Sequence, residues 1–527
     1  MAIGEQSIDL SPVNESLQKV VKSTAIIFIG NILGMILAFV ARILIARHFT
    51  QNEYGIFSLA FTILSISAVI GSMGLQRGSP RQIAYYLGKG KQENVSSTVA
   101  WSLTFGSITG IIIFIIIFLS SDFLSAKIFG MPELSSSLKI FSVAIPFYVL
   151  IFILTSIFRG YKKVKEAVYF QNLLKNVLFI LLLVLVILID TSFRWCIVAY
   201  SISISITCIT FLIYFMKKKL ISPSFIKGGK NSISIGMKLL FFSIPLLFVS
   251  ILGQVMGWMD TLMLGYFKTS EMVGLYNAAT PLVTFIFYAQ TSVSFIYLPV
   301  LSELYSKNRK EEMRKSYAIL TKWLCSFTFP LFLIFIFFPE VILNFFFGSE
   351  YIVAAKALQI LAAGFFVLNI FGFNDTALTT MGETKFLAWA TFIAAGINIT
   401  LNILFIPNFG IEGAAGATAI AMVILGIMRA AKLYSISQIH SLRKTLLKPI
   451  FLSTILICAI YFISKQFVVV TFWMLPLFFI FFITLSGCLL LLTRSFEQED
   501  LEMLLAIERK LGIKLVSIKN LMRKFMQ

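Results

Sequence analysis

Long apolar runs constrain this chain more than any other feature of its sequence. Residues 111–119, 180–189 and 331–338 lie within apolar runs of roughly 20 residues, the length that a helix needs to cross the hydrocarbon core of a bilayer. These runs lack the alternation of polar and apolar residues typical of membrane β-barrel strands. Because 58% of the 527 residues are hydrophobic and only 13% are charged, a water-soluble core is excluded. The sequence therefore predicts an all-α membrane protein.

Apolar runs bounded by charged residues, glycine or proline predict about 14 transmembrane helices. Residues 1–23 are too long and too polar for the start of a cleavable signal peptide. We therefore expect them to form a cytoplasmic N-terminal segment and the first helix to be retained. The predicted spans cover residues 24–46, 55–78, 97–120, 139–158, 168–189, 195–216, 237–262, 273–297, 317–338, 353–376, 386–406, 411–432, 447–464 and 471–493.

Basic residues are distributed unevenly among the connections between spans. A net charge of +20 would suggest a nucleic-acid partner for a soluble protein, but here Lys and Arg lie in short segments between apolar runs. When the connections are assigned alternately to the two sides, one side receives about 35 of the 44 Lys and Arg residues. Because basic connections favour the cytoplasmic side, we expect a multi-pass protein of the cell (cytoplasmic or inner) membrane with both termini in the cytoplasm.

The two halves of the chain resemble each other at an offset of about 219 residues. Phe49 falls on Phe267 and, after one inserted residue, Gly55 falls on Gly274. Spans one to six and spans seven to twelve are therefore predicted to be two parallel copies, which usually flank a central substrate path. Further equivalent pairs are Pro80 and Pro299, Tyr86 and Tyr305, and Lys91 and Lys310.

The repeat predicts the domain organisation. Residues 24–216 form an N-lobe and residues 237–432 a C-lobe, joined by a basic cytoplasmic linker, residues 217–236. Residues 447–493 carry two further spans outside the repeat. In the tail, residues 494–527, apolar residues recur every seven positions. We interpret this tail as a cytoplasmic amphipathic helix on the lipid surface, and a partner-binding or coiled-coil helix is the alternative.

No pattern of chemically active residues indicates catalysis. Residues 88–91 (GKGK) lack the spacing, the hydroxyl residue and the preceding strand of a phosphate-binding loop. His48 and His440 lie on opposite predicted sides of the membrane, so they cannot form a metal site or a histidine proton relay. Every outer connection is short, unlike the large outer loops of sugar polymerases. We expect no enzyme activity, no metal and no cofactor, while coupling to a Na⁺ or H⁺ gradient stays open.

We count four ionisable residues inside the predicted spans: Arg42, Lys175, Asp260 and Asp375. Charges at membrane depth are expensive and usually face a cavity or a partner. Arg42 and Asp260 are equivalent under the repeat, so both could lie on the central path as a substrate contact or gate. Alternatively, the Arg42 side chain extends to the membrane–water interface, and Asp260 caps a helix or pairs with a neighbouring group. Lys175 is interpreted as a cavity-lining cation rather than half of an ion pair, whereas local polar packing is favoured for Asp375.

Two further groups of polar residues are candidates for the substrate path. Arg77 and Arg81 flank a proline at the cytoplasmic end of span two, where they either anchor the span or receive a phosphate headgroup. On span eight, Asn277 and Gln290 either line a hydrated path or make ordinary hydrogen bonds between helices.

Residues 260–266 (DTLMLGY) and 273–279 (VGLYNAA), together with the repeat and two extra spans, carry a family resemblance. The chain resembles the polysaccharide flippases of the multidrug, oligosaccharidyl-lipid and polysaccharide exporter superfamily. The resemblance implies two six-helix lobes in a V that open alternately to each side. It also implies that an undecaprenyl- or dolichyl-pyrophosphate-linked oligosaccharide moves from the cytoplasmic to the outer leaflet. We expect Arg42, Lys175, Arg77 and Arg81 to bind substrate, and Asp260, Asp375, Asn277 and Gln290 to act in gating or coupling.

Other functions compatible with the sequence define the alternatives. A cation-coupled multidrug exporter of the same superfamily would favour carboxylates in its cavity. Lys175, deep within its span, instead favours an anionic substrate. From a different class, the chain could be a non-transporting scaffold or a sugar polymerase of envelope synthesis. The expected partners are the lipid-linked oligosaccharide, membrane lipids and envelope glycan synthesis enzymes, with no nucleic acid, and the expected oligomeric state is a monomer.

Overall fold

The computed structural model describes an almost entirely helical chain, and within the described residues every regular element is a helix. The predicted tail lies outside the described residues apart from Ser495 and Asp500. The described residues are 11–218, 229–441, 444–464, 470–493, 495 and 500. The helices are α1 Ser11–His48, α2 Gln51–Gly71, α3 Leu75–Gly88, α4 Gln92–Phe123, α5 Leu134–Gly160, α6 Val164–Val168, α7 Lys175–Leu188, α8 Phe193–Lys217, α9 Gly229–Phe267, α10 Ser270–Ser306, α11 Lys310–Phe337, α12 Pro339–Phe346, α13 Ala355–Ile370, α14 Asn374–Thr380, α15 Thr384–Ser437, α16 Lys444–Ser464 and α17 Leu475–Leu492.

The described helices account for the fourteen predicted spans. Twelve of them are long and apolar enough to cross a bilayer. One of these, α15, has 54 residues, and a straight helix of that length would extend about 80 Å. Gly410, with φ 55° and ψ −126°, breaks it into two arms, residues 384–409 and 411–437. With the arms counted separately and the shorter apolar helix Thr445–Ala459 added, the total is fourteen, and the predicted all-α membrane fold is confirmed.

The helices are apolar on the outside and carry small polar groups inside. Leu119, Leu188 and Leu477 are 75%, 80% and 67% exposed, as expected where lipid rather than water surrounds the chain. Thr207 is fully buried, and its hydroxyl donates to the carbonyl of Ser203 at 2.7 Å. Such bonds satisfy small polar side chains within their own helix, so they can pack against neighbouring helices.

One compact unit contains the described residues up to Phe49 and from Ala60 to Ile251. Within it, the predicted second span is broken into α2 and α3 at Met73 and Gly74, whose φ angles are 46° and 74°. A Cβ atom on Gly74 would lie 2.0 Å from the carbonyl oxygen of Ser243 in α9. Since only glycine combines this φ with such a close approach, residue 74 fixes how α3 begins against α9.

A second compact unit contains Thr50–Leu59 and the described residues from Leu252 onward. The first turns of α2 therefore pack with helices of the second repeat. Tyr54 is buried there, its hydroxyl donates to the carbonyl of Asn277 at 3.1 Å, and its ring meets the ring of Tyr351 edge to face. These contacts hold the start of α2 against α10.

The crossing of α2 and α10 is built on a pair of repeat-equivalent glycines. A Cβ on Gly55 would lie 1.7 Å from the carbonyl oxygen of Ser270, and a Cβ on Gly274 would lie 2.3 Å from that of Gln51. Small residues allow two helix backbones to approach this closely, as they do in many membrane proteins. The alignment of Gly55 with Gly274 in the sequence repeat thus corresponds to a direct contact between them.

Candidate functional site

Lys175 lies in the first unit at the junction between a π-helical turn, Tyr169–Leu174, and α7. Its Nζ atom lies 3.4 Å from the Tyr200 hydroxyl oxygen, and it is 5.2 Å and 5.7 Å from the ring centroids of Tyr148 and Tyr200. In the part of the chain that the structure describes, no carboxylate lies within ion-pair distance of Lys175. Aromatic rings therefore hold the ammonium group by cation–π contact, and its charge is not neutralised.

Asparagine side chains position this part of α7 against α1. Asn172 Nδ2 donates to Asn31 Oδ1 at 2.7 Å, and Asn176 Nδ2 donates to the carbonyl of Gly34 at 2.9 Å. π-Helical turns displace a helix by one residue and are frequent at functional sites. Here the turn contains Asn172 and ends directly before Lys175 and Asn176, so two asparagines lie close to Lys175 in an otherwise apolar helix.

Arg42, on α1, is the second cation of this polar centre. It is half-buried and lies close enough to Tyr200 to interact with it electrostatically. Because Lys175 also contacts Tyr200, the structure brings two predicted substrate-binding residues to one tyrosine of α8. We refer to Arg42, Lys175, Tyr148 and Tyr200 as the cationic centre. Two cations around one site suit a ligand with closely spaced negative charges.

Asp260 occupies the centre of a buried polar cluster in the second unit. One carboxylate oxygen accepts hydrogen bonds from the Tyr276 and Thr418 hydroxyls, at 2.5 Å and 2.6 Å. The other accepts from the side-chain amides of Asn402 and Asn398, at 2.8 Å and 3.3 Å. We call these five residues the anionic centre. Four donors compensate the buried carboxylate, which is only 4% exposed.

The side-chain oxygens of the anionic centre are the kind of ligand that a small cation needs. Oδ1 of Asn402 is buried and has no hydrogen-bond partner within the described residues. The carboxylate of Asp260, the hydroxyl of Thr418 and the amide oxygens of Asn398 and Asn402 lie within one hydrogen-bonded cluster. Oxygen ligands of this kind suit hard cations, which bind oxygen rather than sulfur. A carboxylate can also take up a proton.

The two centres occupy equivalent positions in the repeat but have opposite charge. Arg42 and Asp260 differ by 218 residues, as do Tyr200 and Thr418. In each unit a charged residue on the first helix of the repeat thus lies near a hydroxyl-bearing residue on the sixth. The duplicated scaffold therefore provides one cationic centre, in the first unit, and one anionic centre, in the second.

The other residues predicted for gating or coupling make local hydrogen bonds in the second unit. Asn277 Nδ2 donates to Thr261 at 3.1 Å and to a backbone carbonyl of its own helix. Gln290 donates to the carbonyl of Gly372 at 2.6 Å. Asp375 lies half-buried at the start of α14, close enough to Arg429 to interact electrostatically. None of the three contacts the anionic centre in the described structure.

Arg77 and Arg81 lie on α3 in the first unit. Both side chains are exposed, and Arg81 stacks on the ring of Phe242 with its Cζ atom 4.4 Å from the ring centroid. Arg81 lines a surface pocket between α3 and α9, Arg77 lies one turn before it on the same helix, and neither belongs to the cationic centre.

The count of four ionisable residues inside the spans is incomplete. Lys322 of α11 is 4% exposed, and it forms a buried ion pair with Asp500 and donates to the carbonyl of Ser495 at 3.0 Å. Trp323 Nε1 donates to the second carboxylate oxygen of Asp500 at 2.9 Å. Arg429 of α15 also lies inside a span, half-buried. Lys322 lies inside the predicted span 317–338, so the sequence could have shown it, whereas its partner follows the last span and could not be found that way.

Asn398 and Asn402 also escaped sequence reasoning. Two asparagines four residues apart on one face of an apolar span are the signal that could have found them, because helix positions i and i+4 are neighbours. Tyr148 and Tyr200 carry no such signal, since aromatic residues are common in every span.

Comparisons with known protein families and curated proteins agree with this architecture. A family model described as "Polysaccharide biosynthesis protein" matches residues 20–305, more than half of the chain, and a second, MatE, matches residues 245–404. An uncharacterized membrane protein of Methanocaldococcus jannaschii is 26% identical over 430 residues, 78% of this chain and 83% of the relative. The "Probable low-salt glycan biosynthesis flippase Agl15" of Haloferax volcanii is 26% identical over 424 residues, 79% of this chain and 84% of the relative.

Two solved structures share the fold. "Lipid II flippase MurJ, inward closed conformation" superimposes with a TM-score of 0.67 at 18% identity, covering 92% of this chain and 99% of that one. An inward-facing multidrug resistance MATE family transporter gives a TM-score of 0.63 at 15% identity, covering 77% and 96%. At these identities the likeness concerns the fold alone. The chain belongs to the polysaccharide biosynthesis protein family.

Proposed function

We propose that this protein flips a polyprenyl-pyrophosphate-linked oligosaccharide from the cytoplasmic to the outer leaflet by alternating access, for surface glycan biosynthesis. Family membership and a relative named as a probable glycan biosynthesis flippase support a flippase. The proposal also places the protein in the cell membrane with both termini in the cytoplasm, as the distribution of basic residues predicts. It acts as a monomer and receives its substrate from enzymes of glycan synthesis.

The observation that carries the proposal is the unneutralised ammonium group of Lys175. Lys175 is half-buried, and a lysine at membrane depth without a carboxylate partner is costly unless an anion arrives to pair with it. A pyrophosphate supplies closely spaced negative charges, and charge-assisted hydrogen bonds to Lys175 and Arg42 would be stronger than neutral ones. The lipid tail can stay in the bilayer while the sugars occupy a hydrated cavity.

The anionic centre supports coupling to a cation gradient. In this proposal Asp260 exchanges its hydrogen-bond donors for a sodium ion or a proton as the transporter changes state. For sodium, the Asn398 and Asn402 amides would turn their oxygens towards the ion, and Thr418 would contribute its hydroxyl oxygen. Ionisable residues within otherwise apolar spans often mark the ion pathways of transporters.

Export of cationic drugs is the second candidate, because one of the structures sharing the fold is a multidrug transporter. A cationic substrate needs an accessible carboxylate. Asp260 is only 4% exposed and is surrounded by four donors, so it is less accessible to a drug-sized cation than to a sodium ion or a proton, which disfavours this alternative. The charge of Lys175 would also repel such a substrate.

The test is transport by the purified protein in vesicles. A fluorescent polyprenyl-pyrophosphate oligosaccharide and a cationic dye are followed with and without a sodium or proton gradient. We expect movement of the sugar lipid but not of the dye, and loss of most of that movement in Lys175→Met. Lys127→Met, which removes an exposed lysine of the same unit, is the matched control and should transport normally. Dye movement without sugar-lipid movement would refute the proposal.

A further inference from the structure

A cavity of about 370 Å³ opens at the surface of the first unit between α3 and α9. It is separate from the cationic centre, because neither Lys175 nor Tyr200 lines it. Basic and aromatic side chains dominate its walls. The lining residues are Arg81, Gln82, Tyr85, Tyr86, Lys238 and Phe242.

Two cations of this cavity are available to bind an anion. The ring of Phe242 holds the guanidinium of Arg81 in place by stacking, 4.4 Å from Cζ to the ring centroid. In the described part of the chain, no carboxylate lies within ion-pair distance of Arg81 or Lys238. Oε1 of Gln82 is buried without a hydrogen-bond partner among the described residues. A phosphate group would receive charge-assisted hydrogen bonds from both cations, and the Gln82 amide could rotate to donate a third.

The surroundings of the cavity indicate that its ligand is a lipid. Phe241 and Met237, which flank Lys238 on α9, are 68% and 43% exposed, and Tyr85 is 54% exposed. Arg77, Arg81 and Tyr85 follow one another at four-residue spacing, so one face of α3 carries basic and aromatic side chains. Aromatic and basic residues with exposed apolar neighbours are typical of the membrane–water interface, where phosphate headgroups lie.

We propose that this cavity binds the phosphate headgroup of an anionic membrane lipid, at a site separate from the path of the transported glycan. Arg81 and Lys238 contact the phosphate, the tyrosine hydroxyls contact its oxygens or the glycerol, and the exposed apolar residues of α9 lie along the acyl chains. The site does not depend on what the protein transports. It would tie the position of α3 relative to α9 to the lipid composition of the membrane.

Native mass spectrometry of the purified full-length protein, titrated with phosphatidic acid or phosphatidylcholine, tests the proposal. Each basic residue near an anionic membrane surface contributes about fivefold in affinity, so Arg81→Gln combined with Lys238→Gln should weaken phosphatidic acid binding about 20- to 30-fold. The matched control combines Lys165→Gln with Lys217→Gln. It removes the same net charge from exposed positions of the same unit, outside the cavity.

We expect the control to bind phosphatidic acid like the unchanged protein and phosphatidylcholine binding to be weak in every variant. Millimolar inorganic phosphate should compete poorly, because it lacks the acyl chains. Equal loss of binding in the control would show a general charge effect and overturn the proposal. So would undiminished binding by the cavity variant, or competition by inorganic phosphate strong enough to show that a soluble anion is the ligand. Circular dichroism of each variant verifies that it is folded.

Discussion

Two different replacements of Asp260 distinguish the effect of its negative charge from the effect of its hydrogen-bond acceptors. Asp260→Asn and Asp260→Leu both remove the charge, so their difference isolates the hydrogen bonds. The asparagine oxygen can still accept from the amides of Asn398 and Asn402, while its NH₂ group donates to the hydroxyl oxygens of Tyr276 and Thr418, because hydroxyls both donate and accept.

At position 260, leucine leaves more buried hydrogen-bond donors without an acceptor than asparagine does. Asn398 retains its bond to Thr418 at 2.9 Å, and Asn402 retains a long bond to Asn398 at 3.3 Å. The Tyr276 and Thr418 hydroxyls lose their acceptor. At about 1–3 kcal/mol for each unsatisfied buried donor, Asp260→Leu should lose about 2–6 kcal/mol relative to Asp260→Asn. The apparent melting temperature in detergent should then be roughly 2–5 °C lower for the leucine variant, because the unfolding entropy of a 527-residue chain is large.

The same measurement tests cation binding by Asp260. A ligand present at about 100 times its dissociation constant stabilises the folded state by about 2.7 kcal/mol. The unchanged protein should therefore melt about 2–3 °C higher in sodium chloride than in choline chloride, or its melting temperature should depend on pH if the coupling ion is a proton. Both variants should lose that response. An asparagine variant that melts as low as the leucine variant would refute the hydrogen-bond assignment, and a retained ion response would exclude Asp260 as the coupling residue.

Three further substitutions test other parts of the structure. Lys322→Met removes the ammonium group paired with the buried carboxylate of Asp500 and should destabilise the protein by about 3–5 kcal/mol in thermal melts, whereas adding Asp500→Leu should recover most of the loss. Gly274→Ala places a methyl group 2.3 Å from the carbonyl oxygen of Gln51, so it should destabilise by about 1–3 kcal/mol and reduce transport. Gly372→Ala forces a side chain onto a residue with φ of +70° and should cost about 1–2 kcal/mol in the same assay.

Controls for these substitutions come from the same unit. Gly257→Ala, in the same unit as Gly274, meets nothing within 4 Å and should leave stability nearly unchanged. If both alanine variants behaved alike, the close approach at Gly274 would be refuted. For the ion pair, no recovery in the double variant would show that Lys322 and Asp500 contribute independently, contrary to the coupling inferred here.

The spans and the repeat could be predicted because both are properties of local sequence. Apolar length identifies a membrane helix without knowledge of its neighbours, and duplicated halves retain similar residues such as Gly55 and Gly274. The break of span two at Met73 and Gly74 was not predicted. It depends on the backbone of α9, which is distant in sequence.

The polar centres could be predicted only in part. Charged residues such as Lys175 and Asp260 stand out in apolar spans, so the sequence identified them. Their partners are ordinary residues whose role follows from packing. Asn402 lies 142 residues from Asp260 along the chain, and Asp500 lies 178 residues from Lys322. Separations of this size cannot be resolved from the pattern of one sequence.

The contact between α2 and α10 also bears on how such a chain could have arisen. Gly55 meets the backbone of Ser270, and Gly274 meets that of Gln51, so each repeat uses the same two positions to touch the other. A reciprocal contact of this kind is what a two-fold axis produces in a homodimer. A single ancestral copy with this glycine could have paired with itself through the same crossing, and fusion of two such copies would have freed each half to acquire a charge of its own sign.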